Sequence, residues 1–199
     1  MKRFLVHAIA VLVCALAFNY TFLTATAAPP AGAMLPEITL PIPTDPGSRS
    51  YLGLPSGDSF KIPQIKAEVV IVEIFSMYCP FCQSDAPHVK KLYQIIDNDP
   101  ELKDRIKLIG IGAGNSSYEV KIFKKTYGIP FPLFADGDFS IHKVMGEVRT
   151  PYFIGIKIDD NRNHRIFYSR LGGVGEADQF LETILELSGL KKGGMEDKK

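Results

Sequence analysis

The chain has 199 residues, 46% of them hydrophobic and 23% charged, with a formal net charge of +1. That length supports one domain with a sizeable core and not comfortably two. The near-neutral balance removes the electrostatic case for nucleic acid, and three cysteines are too few for the multi-disulfide scaffold of a small secreted domain.

Taken in order, the chain opens with Lys2 and Arg3 before an apolar run over residues 4–18, followed by Ala25-Thr26-Ala27 and Pro29-Pro30. A basic start, an apolar stretch and a small-x-small site read as a secretory signal peptide over residues 1–27, cleaved after Ala27. The mature protein is therefore expected in the periplasm or otherwise outside the cytoplasm. An uncleaved segment would act as a membrane anchor, for which the run is short. Cleavage removes Cys14 and leaves Cys79 and Cys82. A single closely spaced pair in an oxidising compartment points to redox chemistry rather than to a structural staple.

Residues 28–35 read as a Pro/Ala/Gly linker. Residues 37–42 and 49–54 read as short strands, broken by Pro41, Pro43 and Pro46. Pro55-Ser56-Gly57-Asp58 is a turn signal, so 59–62 is a returning strand that closes a hairpin with 49–54. Residues 62–67 connect to a run over 69–75 that is apolar or β-branched except at Glu73, the pattern of a strand buried on both faces. Beyond Cys79, apolar residues Ala86, Val89, Leu92, Tyr93 and Ile96 recur at three- and four-residue steps. They predict a helix over 80–96 that ends at Asn98-Asp99-Pro100.

A second buried strand follows over 106–111. Ser116-x-x-Glu119 is a capping box ahead of Val120, Phe123 and Tyr127, and Gly128 stops that helix. Residues 131–134 are extended. Asp136-Gly137-Asp138 turns into a short helix over 139–145. Residues 152–158 and 165–171 form antiparallel strands about a turn at 159–163. Gly172, Gly173 and Gly175 lead into a last helix over 176–187, and 191–199 is a polar tail that is expected to be disordered. The order is βαβα, a short insertion, then ββα. It predicts an α/β fold over residues 28–190 with a mixed central sheet flanked by helices.

Cys79-Pro80-Phe81-Cys82 falls where the buried strand becomes a helix. Free backbone N–H groups and the helix dipole favour negative charge there, so a thiol loses its proton more readily. Pro80 is tolerated in the first turn. Cys79, the more exposed, is expected to attack, and Cys82, one turn inside, to resolve the mixed disulfide. Glu73 is either a strand residue facing solvent or a buried carboxyl with a raised pKa that exchanges a proton with Cys82. Phe75, Met77, Tyr78 and Phe81 are candidates for an apolar apron, although such residues are more often core, with Phe81 between the cysteines the exception; Tyr78, Pro80 and Phe81 are the ones expected to touch substrate. Half a zinc site is the competing reading of the pair. The remaining ligands are missing, because His88, His142 and His164 are scattered, so no metal is expected.

This segment resembles the active site of the thioredoxin superfamily, in particular its periplasmic TlpA/ResA-like thiol-disulfide oxidoreductases. Glu73, six residues before Cys79, falls where that superfamily places a buried acid. Pro87, five after Cys82, falls where its active-site helix carries a kinking proline, and Thr150-Pro151 where it carries a cis-proline. The resemblance covers residues 35–190. It implies a thioredoxin-like fold with an N-terminal β-hairpin extension and a protein-disulfide reductase activity without a cofactor. It also implies a cis Pro151 packed against the cysteines, with the Thr150 backbone offered to an extended substrate. Its partners would be a protein disulfide or dithiol and a membrane thiol carrier as electron donor, with cytochrome c biogenesis as one route, and the protein would be monomeric.

Tyr78 departs from the Trp common in that family, which bears on substrate identity. Pro80 also resembles DsbA-like disulfide donors, but the gap from 111 to 152 is too short for their helical insertion. Residues 131–136 resemble peroxiredoxins, and Ser76 stands three residues before Cys79, which keeps a thiol peroxidase as a second class. A Cu(I) carrier is a third, although the copper-assembly proteins space their cysteines more widely and add a distant histidine.

Overall fold

The computed structural model describes residues 27–159 and 163–192. Most of the expected leader, the middle of the 159–163 turn and residues 193–199 of the tail lie outside the described residues.

The chain builds one five-stranded sheet in the order β5-β4-β3-β6-β7. Its centre is β3 (Val69–Phe75), buried along its whole length. β3 pairs in parallel with β4 (Ile106–Ala113) and antiparallel with β6 (Tyr152–Ile158). β5 (Leu133–Asp136) extends the sheet beside β4, and β7 (His164–Leu171) beside β6. The helices α2 (Pro80–Asp97), α3 (Ser117–Tyr127), α4 (Ser140–Val144) and α5 (Ala177–Ser188) fall within one or two residues of their expected bounds. The capping box forms as predicted, with Ser116 Oγ accepting from the Glu119 N–H and Glu119 accepting from the Ser116 N–H.

Side chains alternate across a strand, and the core divides accordingly. Val69, Ile71 and Phe75 pack with Cys82, Ala86, Val89, Leu92, Phe123, Phe180 and Ile184 on one face. Val70, Val72 and Ile74 pack with Leu40, Leu52, Phe60, Ile62, Ile109 and Ile154 on the other. Each such fully buried side chain is worth roughly 1.5–3 kcal/mol. Glu73 shares parity with Val69, Ile71 and Phe75, so it lies on the α2 side of the sheet.

The N-terminal region differs from expectation in two ways. A two-stranded sheet is present, but it joins β1 (Thr39–Pro41) to β2 (Ser59–Lys61). Residues 49–54 are not a strand, because α1 (Pro46–Leu52) occupies that place. Asp45 caps α1 by accepting from the Ser48 N–H at 2.7 Å, Pro46 sits at the first helical position, and Gly53 closes it at φ 62. Those start and stop signals outweigh the prolines that had suggested broken strands.

The second difference concerns residues 28–35. They do not hang free as a linker but run along the outer edge of β7. Gly32 donates to the Ile166 carbonyl at 2.7 Å, Ile166 donates back to Ala33 at 2.9 Å, and Ser169 Oγ donates to the Pro29 carbonyl at 2.8 Å. Leu35 and Ile38 then enter the core.

Tyr51 of α1 fastens this extension to the sheet. β5 reaches back along β4 only to Gly110, and the Leu108 N–H donates instead to the Tyr51 hydroxyl at 2.8 Å. The hydroxyl stands in for the missing strand, and the Lys107 ammonium lies 4.6 Å from the Tyr51 ring centre.

Candidate active site

Cys79 is the N-cap of α2, and the helix begins at Pro80. Both cysteines are thiols, Cys79 partly exposed and Cys82 fully buried. The Cys79 Sγ–H donates to the Thr150 carbonyl at 3.2 Å. Partial burial alone would push the Cys79 thiol up. The Thr150 side chain, the Cys82 backbone N–H and thiol, and the Phe81 N–H outweigh it and hold Cys79 below the ordinary thiol value. Cys82 goes the other way. Burial pushes it well up, and the charge of Glu73 adds to that. The two sulfurs, one helical turn apart, thus have opposite proton affinities.

Glu73 is 4% exposed, which removes the solvent-facing reading. Burial, then the charges of Asp85 and Cys79, raise its pKa to about 8. The Thr150-Pro151 peptide is cis, and both residues line the cleft beside Cys79. Pro87 lies inside α2. Tyr78 and Phe81 are exposed, at 65% and 73%. Phe75 is core, stacked on Phe123, and Met77 packs against the core, so neither belongs to the apron. Phe139 and Leu171 take their place at the surface. His88 is at the surface, with Nδ1 2.8 Å from the Gly175 carbonyl.

Several contributors were not singled out from the sequence. Asp85 is buried in α2, three residues beyond Cys82, with its two carboxylate oxygens 3.0 and 2.9 Å from the Val174 nitrogen, whose N–H they accept. Burial raises its pKa, and the Val174 and Gly175 N–H groups pull it partly back. Gly173 presses on it: a Cβ there would lie 2.4 Å from Asp85 Oδ1. The signal was an acid on the inward side of the apolar stripe, between Cys82 and Ala86.

The turn before Cys79 is clamped by two amides. Asn115, just past β4, accepts from the Met77 N–H at 2.8 Å, and Gln83 Nε2 donates to the Met77 carbonyl at 2.7 Å. Beside them the Tyr78 hydroxyl donates to the Glu119 carboxylate. Asn115 is fully buried, and its Nδ2 has no partner among the described residues. Asn115→Leu removes the acceptor of a part-buried N–H. The expected results are a loss of about 1–2 kcal/mol in urea titration and a Cys79 thiol that moves back toward the ordinary value, read by the ultraviolet absorbance of the thiolate.

Among the described residues no group of three or more His, Cys, Asp or Glu is placed to hold a metal ion, and none of the helices searched is long and apolar enough to cross a membrane.

The profile of the AhpC/TSA family matches residues 31–170. The chain belongs to the AhpC/TSA family. The chain is 27% identical over 132 residues to the thiol-disulfide oxidoreductase ResA of Halalkalibacterium halodurans, covering 66% of this chain and 68% of that one. It is 25% identical over 96 residues to ResA of Bacillus thuringiensis subsp. konkukian, about half the length of each, at 48% and 52%. Among solved structures, the thioredoxin domain of a Bacteroides vulgatus thiol-disulfide oxidoreductase superposes with a TM-score of 0.56 at 16% identity, over 78% of this chain and 98% of that one. A secreted Mycobacterium tuberculosis disulfide oxidoreductase gives 0.51 at 15% identity, over 65% and 90%. The fold of this AhpC/TSA member is thioredoxin-like.

Proposed function

We propose that this thiol-disulfide oxidoreductase works outside the cytoplasm and reduces protein disulfides, with Cys79 attacking and Cys82 resolving. The observation that carries the reading is the asymmetry of the pair, an accessible thiol held low beside a buried thiol held high. The Cys79 thiolate attacks one sulfur of a client disulfide, and the other client sulfur leaves as a thiolate and takes a proton. Cys82 then gives up its proton and attacks Cys79 Sγ, releasing the second client thiol and closing the Cys79–Cys82 disulfide. Glu73, whose pKa stands at about 8, is suited to accept the Cys82 proton, directly or through water. Pro151 and Thr150 form the wall against which the client lies, with Tyr78, Pro80 and Phe81 around the sulfur. A dithiol donor, such as a membrane thiol carrier, restores the pair. Export by the leader over residues 1–27 places this chemistry in the periplasm, and cytochrome c maturation is one route that needs it.

Direction is tested by the reduction potential of the pair, equilibrated against dithiothreitol and glutathione buffers. The expected value lies near thioredoxin's, about −270 mV. A value near about −120 mV, that of a strong oxidant, would make the protein a disulfide donor. Consumption of hydrogen peroxide at a catalytic rate would shift the reading to a thiol peroxidase, with Ser76 beside the reacting sulfur.

A further inference from the structure

Two clefts flank Cys79, and Arg149-Thr150 is the wall they share. One, about 580 Å³, is bounded by Phe81, Asp85, His88, Pro151 and Leu171. The other, about 420 Å³, is bounded by Tyr78, Phe139, His142 and Val148. Most of the polar side chains in them are already occupied. Asp85 takes the Val174 N–H, His88 meets the Gly175 carbonyl and His142 the Val148 carbonyl. Glu119, beside the second cleft through Tyr78, is held by Tyr78 and Ser116. Glu147 and Glu176 are exposed and line neither cleft. Arg149 is exposed, faces both clefts, and forms no hydrogen bond or ion pair among the described residues. It is adjacent in sequence to the carbonyl that holds the attacking thiol.

A cation placed there attracts an anion at one definite point, beside the disulfide under attack. The surrounding surface is apolar and built for an extended chain: Phe81 and Leu171 are exposed at 73% and 41% on one side, with Tyr78 and Phe139 at 65% and 44% on the other. We propose that the preferred client is a peptide segment with an Asp or Glu next to its disulfide cysteine, the carboxylate meeting Arg149 and an apolar neighbour resting on Phe81 and Leu171. This specificity rests on the reductase reading above. An exposed charge pair mainly steers encounter and sets register, so its effect belongs in kcat/KM and fades with salt.

The test uses disulfide peptides identical except for Asp, Asn or Lys beside the cysteine, together with neutral 2-hydroxyethyl disulfide and glutathione disulfide. With the wild-type protein at low salt, the Asp peptide is expected to exceed the Lys peptide in kcat/KM by roughly tenfold, about threefold per charge step. Arg149→Glu should invert that order, Arg149→Gln should flatten it, and high salt should compress it. An order that ignores peptide charge overturns the specificity, provided that wild type reduces the Asn peptide and the neutral disulfide. If wild type reduces neither, the reductase reading itself fails. A charge preference that glutathione disulfide shows equally, with no loss when the apolar neighbour becomes Gly, overturns the peptide assignment in favour of a small carboxylated disulfide.

Discussion

Cys82→Ser is expected to leave the first chemical step intact and stop the second. Incubated with a disulfide client, the variant should accumulate a mixed disulfide at one client per chain, visible by mass spectrometry without reductant. Steady-state turnover should fall by roughly a thousandfold or more, the scale on which loss of a covalent participant is felt. Cys79→Ser should lose turnover equally but trap nothing. The physical reason lies in the two environments. Cys79 is partly exposed and held below the usual thiol value, so a thiolate is available to an incoming disulfide. Cys82 is fully buried and pushed up, so it meets only a sulfur already delivered to Cys79. If Cys79→Ser traps client while Cys82→Ser does not, the roles are reversed and the helix-start argument is wrong.

The second large effect is expected at Glu73. Burial raises its pKa from 4.5 to about 8, so the folded reduced protein holds a proton that the unfolded chain has released across that interval. The stability Glu73 contributes is therefore complete below pH 4.5, is lost progressively as pH rises toward 8, and is flat beyond. At one pKa unit per 1.36 kcal/mol, the full loss is on the order of 5 kcal/mol. Glu73→Gln matches the protonated acid, so denaturation curves of the reduced variant should coincide with wild type near pH 4.5 and show greater stability above pH 7. Asp85, also raised by burial, keeps a smaller slope of the same sign at the acidic end. Function should move the other way. Without a base near the buried thiol, release of the second client thiol should slow by roughly a hundredfold, and the limb near pH 8 should vanish from its pH profile. An unchanged pH–stability curve would mean that Glu73 is not carrying its proton into the folded state.

The two predictions rest on features of unequal visibility in the sequence. The strand-to-helix junction, the Cys pair and Glu73 are legible because each is a local break in a periodic pattern: an acid in an apolar strand, a cysteine pair where the period changes from two to 3.6. Thr150-Pro151 stood out only through the family resemblance, since by itself the sequence favours an ordinary trans proline at a strand start. The helices at 117–127 and 177–188 were legible from their apolar stripes, the first also from its capping box and Gly128. α1 was not, because three prolines and a short apolar content suit a broken strand as well as a capped helix, and only the Asp45 side chain decides between them. The clamp on Met77 and the floor of the cleft were hidden for another reason. Asn115 and Gln83 are 38 and 6 residues away in sequence from the group they hold. Asp85 meets Val174 across 89 residues. The two long contacts depend on the sheet order, which no local period encodes, and the Gln83 contact on how the turn before Cys79 folds back over the helix start. Phe75 lies in the core and Met77 is half-buried against it, the commoner fate of an aromatic or a methionine beside a reactive cysteine.

A reductase of protein disulfides, as proposed above, would meet clients with exposed, unpaired strands. A sheet that offers an open edge to such a client is at risk of being extended by it and of starting an aggregate. The segment at 29–35 closes that route on one side: its backbone already satisfies Ile166 from the outside of β7. On the opposite side, β5 is four residues long, with Pro132 before it and Pro41 and Pro43 along the neighbouring groove, too short and too interrupted to recruit a strand. On the reading proposed above, client backbone settles at the Thr150 wall beside the sulfur and not on either of these edges.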